Sequence, residues 1–138
     1  MGLGKTVRLN RIFSHPSGRM CGIAVDHFLG YQSGLPEGLR DLPATIAKIA
    51  AGSPDAVTMN KGVALGCWEA YAGKLPLIMQ SIVIRPDDSA SHQIATPEDA
   101  VRLGADAIAT VIFAYGDTEA AQLKRTADTV REAHKLEM

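Results

Sequence analysis

Four short apolar runs, each followed by an amphipathic helical pattern, constrain the fold of this 138-residue chain more than any other feature. The runs are apolar throughout, as in Ile23-Ala24-Val25, which is typical of strands that are buried on both faces of a parallel sheet. Because right-handed crossovers bring successive parallel strands side by side, the strands should be parallel and adjacent in chain order. The predicted strands span residues 20–25, 55–59, 75–84 and 106–113.

The predicted helices carry start and stop signals. Asp41 and Thr96 each stand just before a first helical turn that contains a proline, where the missing N–H costs nothing. Gly52 and Gly104 mark helix ends. Helices are predicted over residues 42–51, 63–72, 96–103 and from Asp117 or Thr118 nearly to Met138. The inner side of the last helix is predicted to consist of Ala121, Leu123, Ala127, Val130 and Ala133.

The composition is that of a globular protein, with 46% apolar and 21% charged residues. A net charge of −1 gives no electrostatic footprint for nucleic acid, and the absence of an 18-residue apolar window predicts no membrane partner. Cys21 and Cys67 lack metal-ligand spacing, so they are expected to be buried, reduced thiols of a cytoplasmic protein. Residues 1–19 are interpreted as a polar lead-in arm that caps one end of a single domain spanning 1–138.

The number of βα units sets the architecture. A barrel of this type needs eight strands, and four units supply half of them. We therefore expect an α/β fold that is the N-terminal half of a TIM (β/α)8 barrel, in a longer protein whose next residues begin a fifth strand. The alternatives are a catalytically inactive half-barrel that serves as an assembly partner, and a different enzyme on an open, flavodoxin-like sheet.

Candidate site residues follow from the rule that parallel α/β proteins place their sites at the carboxyl ends of strands. Asp26 follows a buried run, where a carboxylate is costly without partners, and it is the candidate general acid or base. Its alternative role, and that of His27, is to anchor a loop. Lys61 follows the second strand and is a candidate for substrate contact, for a Schiff base or for plain solvent exposure. The other strand-end residues to weigh are Asn60, Gln80, Ser81, Arg85, Asp87, Asp88, Ser91, His92, Tyr115 and Asp117.

Metal and cofactor signals are weak. Asp87, Asp88 and His92 form a loose acidic and imidazole set, but their spacing fits no standard metal site. The sequence has neither a G-x-G-x-x-G motif nor a P-loop. We therefore expect no metal and no organic cofactor.

The lead-in from Gly4 to Phe13, the triplet Val25-Asp26-His27 and residues 55–62 occur in an order and spacing that resemble the archaeal-type class I fructose-bisphosphate aldolases. This DeoC/LacD-like group includes the autoinducer-2 aldolase or thiolase and the aminodideoxyheptulosonate synthases. The lead-in from Gly4 to Phe13, followed by Ser17-Gly18-Arg19, is similar to the opening of these enzymes. Val25-Asp26-His27 resembles their strand-one signature, although Phe28 stands where the family usually has Gly. Further likenesses lie in residues 55–62, in 96–107 and at the Gly116 turn.

This resemblance implies a barrel of roughly twice this length, in line with the ~250 residues usual for the fold. It also implies Schiff-base chemistry on a phosphorylated ketose or related keto compound, in a homo-oligomer. Only the family's strand-one aspartate carries over, to Asp26, with His27 beside it, while Lys61 stays a candidate substrate contact from its place after the second strand. The family's Schiff-base lysine and catalytic tyrosine lie on later strands, past Met138, so Lys61 is not that lysine.

Overall fold

A computed structural model describes residues 2–27, 34–85, 87 and 91–138 of the chain. Its helices are α1 (Leu3–Ile12), α2 (Leu42–Ala51), α3 (Lys61–Cys67), α4 (Pro97–Arg102) and α5 (Glu119–Lys135). Its strands are β1 (Gly22–Ala24), β2 (Ala56–Asn60), β3 (Leu77–Gln80), β4 (Ile82–Ile84), β5 (Ser91–Gln93) and β6 (Ala107–Ala109). Short 3-10 turns lie at Glu37–Leu39 and Glu69–Tyr71. Within the described ranges, no helix is both long and apolar enough to cross a bilayer.

The central sheet has the strand order β1-β2-β3-β6, and every neighbouring pair in it is parallel. This confirms the predicted topology. The helix signals are confirmed as well. Asp41 accepts a hydrogen bond from the Ala44 N–H, and Thr96 forms a complete capping box with Asp99. The backbone at Gly104 has φ +71°, a left-handed conformation that ends α4 at little cost for glycine.

Helices cover one face of this sheet in the described part of the chain. Val57, Met59, Leu77 and Met79 are buried on that face, in a core completed by residues of α2, α3 and α4 that include Ile46, Ala64, Trp68 and Ala100. Their neighbours Thr58 and Ile78 point to the other face and are only partly buried. A flavodoxin-like sheet needs helices on both faces. One-sided cover is the arrangement of a barrel wall, whose inner face looks toward the opposite strands.

The third predicted strand is divided in two at Ser81. The Ser81 N–H and Oγ both donate to the Ala109 carbonyl, at 3.0 and 2.6 Å, and the Ser81 carbonyl accepts from the Ile94 N–H. Beyond this point the chain leaves the sheet, and β4 pairs antiparallel with β5. The single strand over 75–84 and the polar loop over 85–95 were therefore wrong predictions. Ile82 and Ile84 are buried in the hairpin, so the apolar run continued past the end of the parallel strand.

The lead-in arm contains helix α1, which was not predicted. Arg8 Nη1 donates to the Ala105 carbonyl at 2.9 Å, and Arg11 Nη1 lies 3.0 Å from Asp106 Oδ1. The helix thus caps the amino ends of β3 and β6, at the end of the sheet opposite to the candidate site. Asp106 is buried, which raises the pKa of its carboxyl, while the Arg11 guanidinium opposes that rise.

Two aspartates occupy equivalent positions at these amino ends. Asp55 Oδ2 accepts from the Cys21 N–H at 2.7 Å, and Asp106 Oδ2 accepts from the Leu77 N–H at 3.3 Å. In each case the aspartate comes one residue before its strand and accepts a hydrogen bond from the residue just before the first one of the neighbouring strand that pairs with it. The same aspartate-to-backbone hydrogen bond therefore lies at the start of the β1–β2 pair and of the β3–β6 pair.

The two cysteines differ from expectation. Cys21 is exposed, since it leads into β1 at the edge of the sheet, and its predicted burial was wrong. Cys67 is partly buried, and its Sγ lies 2.9 Å from the Val63 carbonyl. Burial raises the pKa of the Cys67 thiol, which keeps it protonated and weakly nucleophilic.

Helix α5 is rotated relative to the prediction. Its buried residues are Gln122, Thr129 and Ala133, whereas Leu123 and Val130 are 50% and 45% exposed. Gln122 Oε1 accepts from the Phe113 N–H at 2.7 Å, and Arg125 donates to Ser91. These bonds to backbone and hairpin turn the polar side of the helix inward, so Ala133 alone of the five predicted inner residues is buried.

A pair of glycine substitutions tests the docking of α1. The Gly4 N–H donates to Glu137 Oε2 at 2.7 Å, and a Cβ at Gly4 would lie 2.7 Å from that oxygen and 3.0 Å from the Glu137 Cβ. Gly66 in α3 has open space around the same position. We expect Gly4→Ala to lower the melting temperature. Gly66→Ala should raise it, because alanine is favoured over glycine in helices by about 0.5–1 kcal/mol. Thermal unfolding by circular dichroism measures both, and equal shifts would contradict the described contact.

Candidate active site

The strand register brings three polar side chains into one row. Ala24 pairs with Thr58, and Asn60 pairs with Gln80. Asp26 and Asn60 each lie two residues beyond the first pair, so Asp26, Asn60 and Gln80 follow one another across the carboxyl ends of β1, β2 and β3. Alternation along the strands puts this row on the face that the described helices leave uncovered.

Gln80 holds the Asp26 carboxylate. Its Nε2 donates to Asp26 Oδ2 at 3.1 Å, while its Oε1 accepts from the Ile82 N–H at 3.3 Å. The backbone contact fixes which end of the amide faces the carboxylate, and Gln80 is only 7% exposed. Asp26 is therefore partnered by a buried neutral donor, as expected for a carboxylate at the end of a buried strand.

Asn60 ties the end of β2 to the end of β1. Its Nδ2 donates to the Asp26 carbonyl at 2.8 Å. Its Oδ1 is buried and has no hydrogen-bond partner among the described residues. A buried acceptor without a partner costs about 1–3 kcal/mol. This oxygen therefore favours the approach of an N–H or O–H group from outside the described residues.

His27 lies beside Asp26, next to the row formed by Asp26, Asn60 and Gln80. Its Nδ1 lies 3.9 Å from Asp26 Oδ1, and the two side chains are 38% and 21% exposed. A small molecule at the uncovered face can therefore reach the carboxylate. Its imidazole has two ring nitrogens that can hydrogen-bond a hydroxyl or an anionic group of such a molecule.

Lys61 makes a different contact. It is the first residue of α3, and its Nζ donates to Asp99 Oδ1 at 2.8 Å. The hydrogen bond from Lys61, followed by that from the Thr96 N–H, holds the pKa of the Asp99 carboxyl below its usual value. The ammonium thus joins the starts of α3 and α4, and it is not within ion-pair distance of Asp26.

Two of the remaining strand-end candidates, Ser81 and Ser91, serve local structure. Ser81 divides the third strand, and Ser91 is held by Arg125. Tyr115 is fully exposed with φ +68°, and His92 is exposed. Asp88 lies outside the described residues. In the ranges that are described, no group of three or more His, Cys, Asp or Glu side chains is arranged to hold a metal ion.

The sequence singled out Asp26 and His27, and the structure brings them together. It named Asn60 and Gln80 only as strand ends, without assigning either a role. A signal was present, because Asn60 and Gln80 are the last residues of their strands, and side-chain alternation puts them on the same face of the sheet as Asp26. Using it required the β2–β3 register, which pairs Asn60 with Gln80.

Replacement of the Gln80 amide by a carboxylate tests this arrangement. In Gln80→Glu, one oxygen can still accept from the Ile82 N–H, but the Nε2 donor becomes a second acceptor 3.1 Å from Asp26 Oδ2. We expect a lower melting temperature than wild type at pH 7 because two neighbouring carboxylates repel. The difference should shrink at pH 4, where sharing a proton relieves the repulsion. Gln93→Glu is the control for loss of an amide donor to an uncharged acceptor, since Gln93 Nε2 donates to the Ala95 carbonyl at 3.1 Å, and a pH-dependent loss as large as that of Gln80→Glu would count against the contact.

Comparison with known proteins agrees with this architecture. Residues 20–138 match the family described as DeoC/LacD family aldolase. The 2-amino-3,7-dideoxy-D-threo-hept-6-ulosonate synthase of Halobacterium salinarum is 36% identical over 135 residues, which are 96% of this chain and 49% of that protein.

Solved structures show the same fold. A Schiff-base-forming fructose-1,6-bisphosphate aldolase superposes with a TM-score of 0.77 at 23% identity. An archaeal fructose-1,6-bisphosphate aldolase, with its catalytic Lys covalently bound to the carbinolamine intermediate of the substrate, gives 0.76 at 24% identity. Each match covers 97% of this chain and 54% of the solved chain, so the chain spans about half the length of these relatives. The chain belongs to the DeoC/LacD family of aldolases, and its fold is that of half of a TIM-barrel aldolase.

Proposed function

We propose that this chain forms the N-terminal half of a class I aldolase, which makes or breaks a carbon–carbon bond in a phosphorylated ketose or related keto compound. The observation that carries the proposal is the Asp26 carboxylate, held by Gln80 at the carboxyl ends of the strands in a member of an aldolase family. Residues 1–138 act as one partial barrel domain in this proposal, with 1–19 as its lead-in arm.

The chemistry requires a lysine from the other half of the barrel. Its amine adds to the substrate carbonyl and loses water, which gives an iminium that accepts the electron pair of the breaking carbon–carbon bond. A base must remove the proton of the hydroxyl that becomes the product carbonyl. Asp26 suits that role, since its carboxylate is 21% exposed on the uncovered face. The iminium is the electron sink, so the mechanism calls for neither a metal ion nor an organic cofactor.

His27 and Lys61 are the proposed substrate contacts. His27 is partly exposed beside Asp26 and can bond a substrate hydroxyl or phosphate. An ammonium has three N–H donors, and Asp99 takes one of those on Lys61. A substrate phosphate near the start of α3 would be bound by the others. We propose a cytoplasmic homo-oligomer as the working form of the enzyme.

A non-catalytic half-barrel that acts as an assembly partner is the second candidate. The observation that favours it is that Lys61, the lysine at the end of β2, is paired with Asp99 and is not within ion-pair distance of Asp26. The two candidates differ in chemistry, so trapping experiments separate them.

The chain alone should not form a covalent adduct with a ketose phosphate. Incubation with fructose 1,6-bisphosphate and borohydride, followed by mass spectrometry, should leave its mass unchanged because the iminium-forming lysine lies elsewhere. Lys61 Nζ lies 2.8 Å from Asp99 Oδ1, and its attack on a carbonyl would require that contact to break. A reducible adduct on Lys61 would overturn both the assignment of Lys61 and the class of mechanism.

The role of Asp26 is tested in a fusion of this chain, at Met138, with the second half of the halobacterial relative. The unsubstituted fusion should give a reducible adduct and turnover, and absence of both would favour the assembly partner. Asp26→Asn should lower kcat by ~10²–10⁴-fold, the usual contribution of general acid–base catalysis, and leave the adduct in place. Asp41→Asn is the matched control, since asparagine caps a helix as well as aspartate does. Near-wild-type turnover in Asp26→Asn would remove Asp26 from the catalytic role.

A further inference from the structure

We propose that Gln80 is a positioning residue for the Asp26 base and that it gives the two carboxylate oxygens different roles. Oδ2 of Asp26 is held by the Gln80 amide, and Oδ1 is the oxygen that takes up the substrate proton. The inference rests on the proposed function, in which Asp26 is the base. It deepens that function because it names the reacting atom and the residue that orients it.

The Gln80 side chain is fixed at both of its polar atoms. It is buried, its Oε1 accepts from the Ile82 N–H at 3.3 Å, and its Nε2 donates to Asp26 Oδ2 at 3.1 Å. A flipped amide would place Nε2 against the Ile82 N–H and Oε1 against the carboxylate, so both hydrogen bonds would be lost. The amide donor is therefore directed at Oδ2 by the backbone of the next strand.

The main chain that carries Asp26 is fixed as well. Asn60 Nδ2 donates to the Asp26 carbonyl at 2.8 Å, and Asn60 pairs with Gln80 in the register of β2 and β3. One amide thus holds the backbone of Asp26, and the amide beside it holds the side chain. The carboxylate therefore has a set position and a set rotation, as a base must have to lie within hydrogen-bond distance of the proton that it removes.

The hydrogen bond from Gln80 also distinguishes the two oxygens chemically. In a protonated carboxyl group the carbonyl oxygen is a better acceptor than the hydroxyl oxygen, so a donor on Oδ2 favours a proton on Oδ1. His27 Nδ1 lies 3.9 Å from that same Oδ1, so the proposed substrate contact and the proposed reacting oxygen are on one side of the carboxylate. A substrate hydroxyl bound by His27 would meet Oδ1 first.

The proposed step is a proton transfer that balances at Oδ1. The substrate hydroxyl gives its proton to Oδ1, and its O–H electron pair becomes the second bond of the product carbonyl. The electron pair of the breaking carbon–carbon bond passes into the iminium. Oδ2 keeps its hydrogen bond from Gln80 throughout, so the carboxyl group does not have to rotate during the transfer.

The fusion with the second half of the halobacterial relative tests the inference through Gln80→Met, which keeps the length of the side chain and removes the amide. We expect kcat to fall by ~10²-fold, a usual cost of misplacing a reacting group, with KM unchanged because Gln80 does not touch the substrate. The borohydride-reducible adduct should still form. Gln93→Met is the matched control, since Gln93 Nε2 also donates at 3.1 Å, but to the Ala95 carbonyl, and it should leave kcat unchanged.

A double-mutant cycle separates positioning from a purely structural role. If Gln80 acts through Asp26, Gln80→Met should change kcat little in the fusion that already carries Asp26→Asn. The same fold-loss in both backgrounds, or an unchanged kcat in Gln80→Met alone, would refute the inference and leave the proposed function standing. A fusion that shows neither adduct nor turnover before any substitution would refute the proposed function, and this inference with it.

If Gln80→Met does not fold by circular dichroism, nuclear magnetic resonance of the fusion decides the question at the contact itself. The side-chain amide signals of Gln80 should move in Asp26→Asn, because the acceptor of Nε2 changes from a carboxylate to an amide. They should stay in place in Asp41→Asn, whose substitution lies at the start of α2. Gln80 signals that are the same in Asp26→Asn as in the unsubstituted fusion would rule out the positioning role.

Discussion

Parallel pairing of four short strands is the constraint on which the rest of the structure depends. The shared register aligns side chains across the sheet, so Asp26, Asn60 and Gln80 form a row although 54 residues separate the first from the last. A shift of one residue in any strand would turn its polar end toward the helices and its buried residues toward the open face. The candidate site is therefore a property of strand register more than of any one loop.

The amino ends of the strands carry contacts that stabilise the fold, and the carboxyl ends carry the candidate site. At the amino ends, Arg8 and Arg11 of α1 bind the Ala105 carbonyl and the Asp106 carboxylate. Near the start of the same helix, the Gly4 N–H donates to the Glu137 carboxylate. These contacts join the first and last elements of the chain and hold the sheet together. At the carboxyl ends, Asn60 keeps a buried oxygen without a partner among the described residues. Contacts that fasten the fold are thus kept apart from groups that can meet a ligand.

The sequence was sufficient to predict the four parallel strands, the capped starts of α2 and α4, and the position of Asp26 beyond the carboxyl end of β1. It was insufficient where one pattern has two structural outcomes. The apolar run ending at Ile84 supports a parallel strand or a hairpin, and Ser81 decided for the hairpin through its bonds to Ala109. The apolar stripe of α5 predicted its inner side, but Gln122 and Thr129 are buried instead, because loop and hairpin groups bond the polar side. The roles of Gln80 and Asn60 depend on the register between strands, which no single segment encodes.

Asp55 and Asp106 have a consequence at the far end of the molecule. Each carboxylate accepts a hydrogen bond from one backbone N–H at the start of a neighbouring strand, from Cys21 just before β1 in one pair and from Leu77 of β3 in the other. A shift of register between the two strands would break this hydrogen bond, so each aspartate favours one position at which strand pairing begins. The position at which pairing begins determines which residue of each strand lies at the carboxyl end of the sheet. The alignment of Asp26 with Asn60 therefore depends in part on Asp55, which lies a full strand length away. A substitution of Asp55 would disturb the carboxyl ends of the strands although Asp55 makes no contact there.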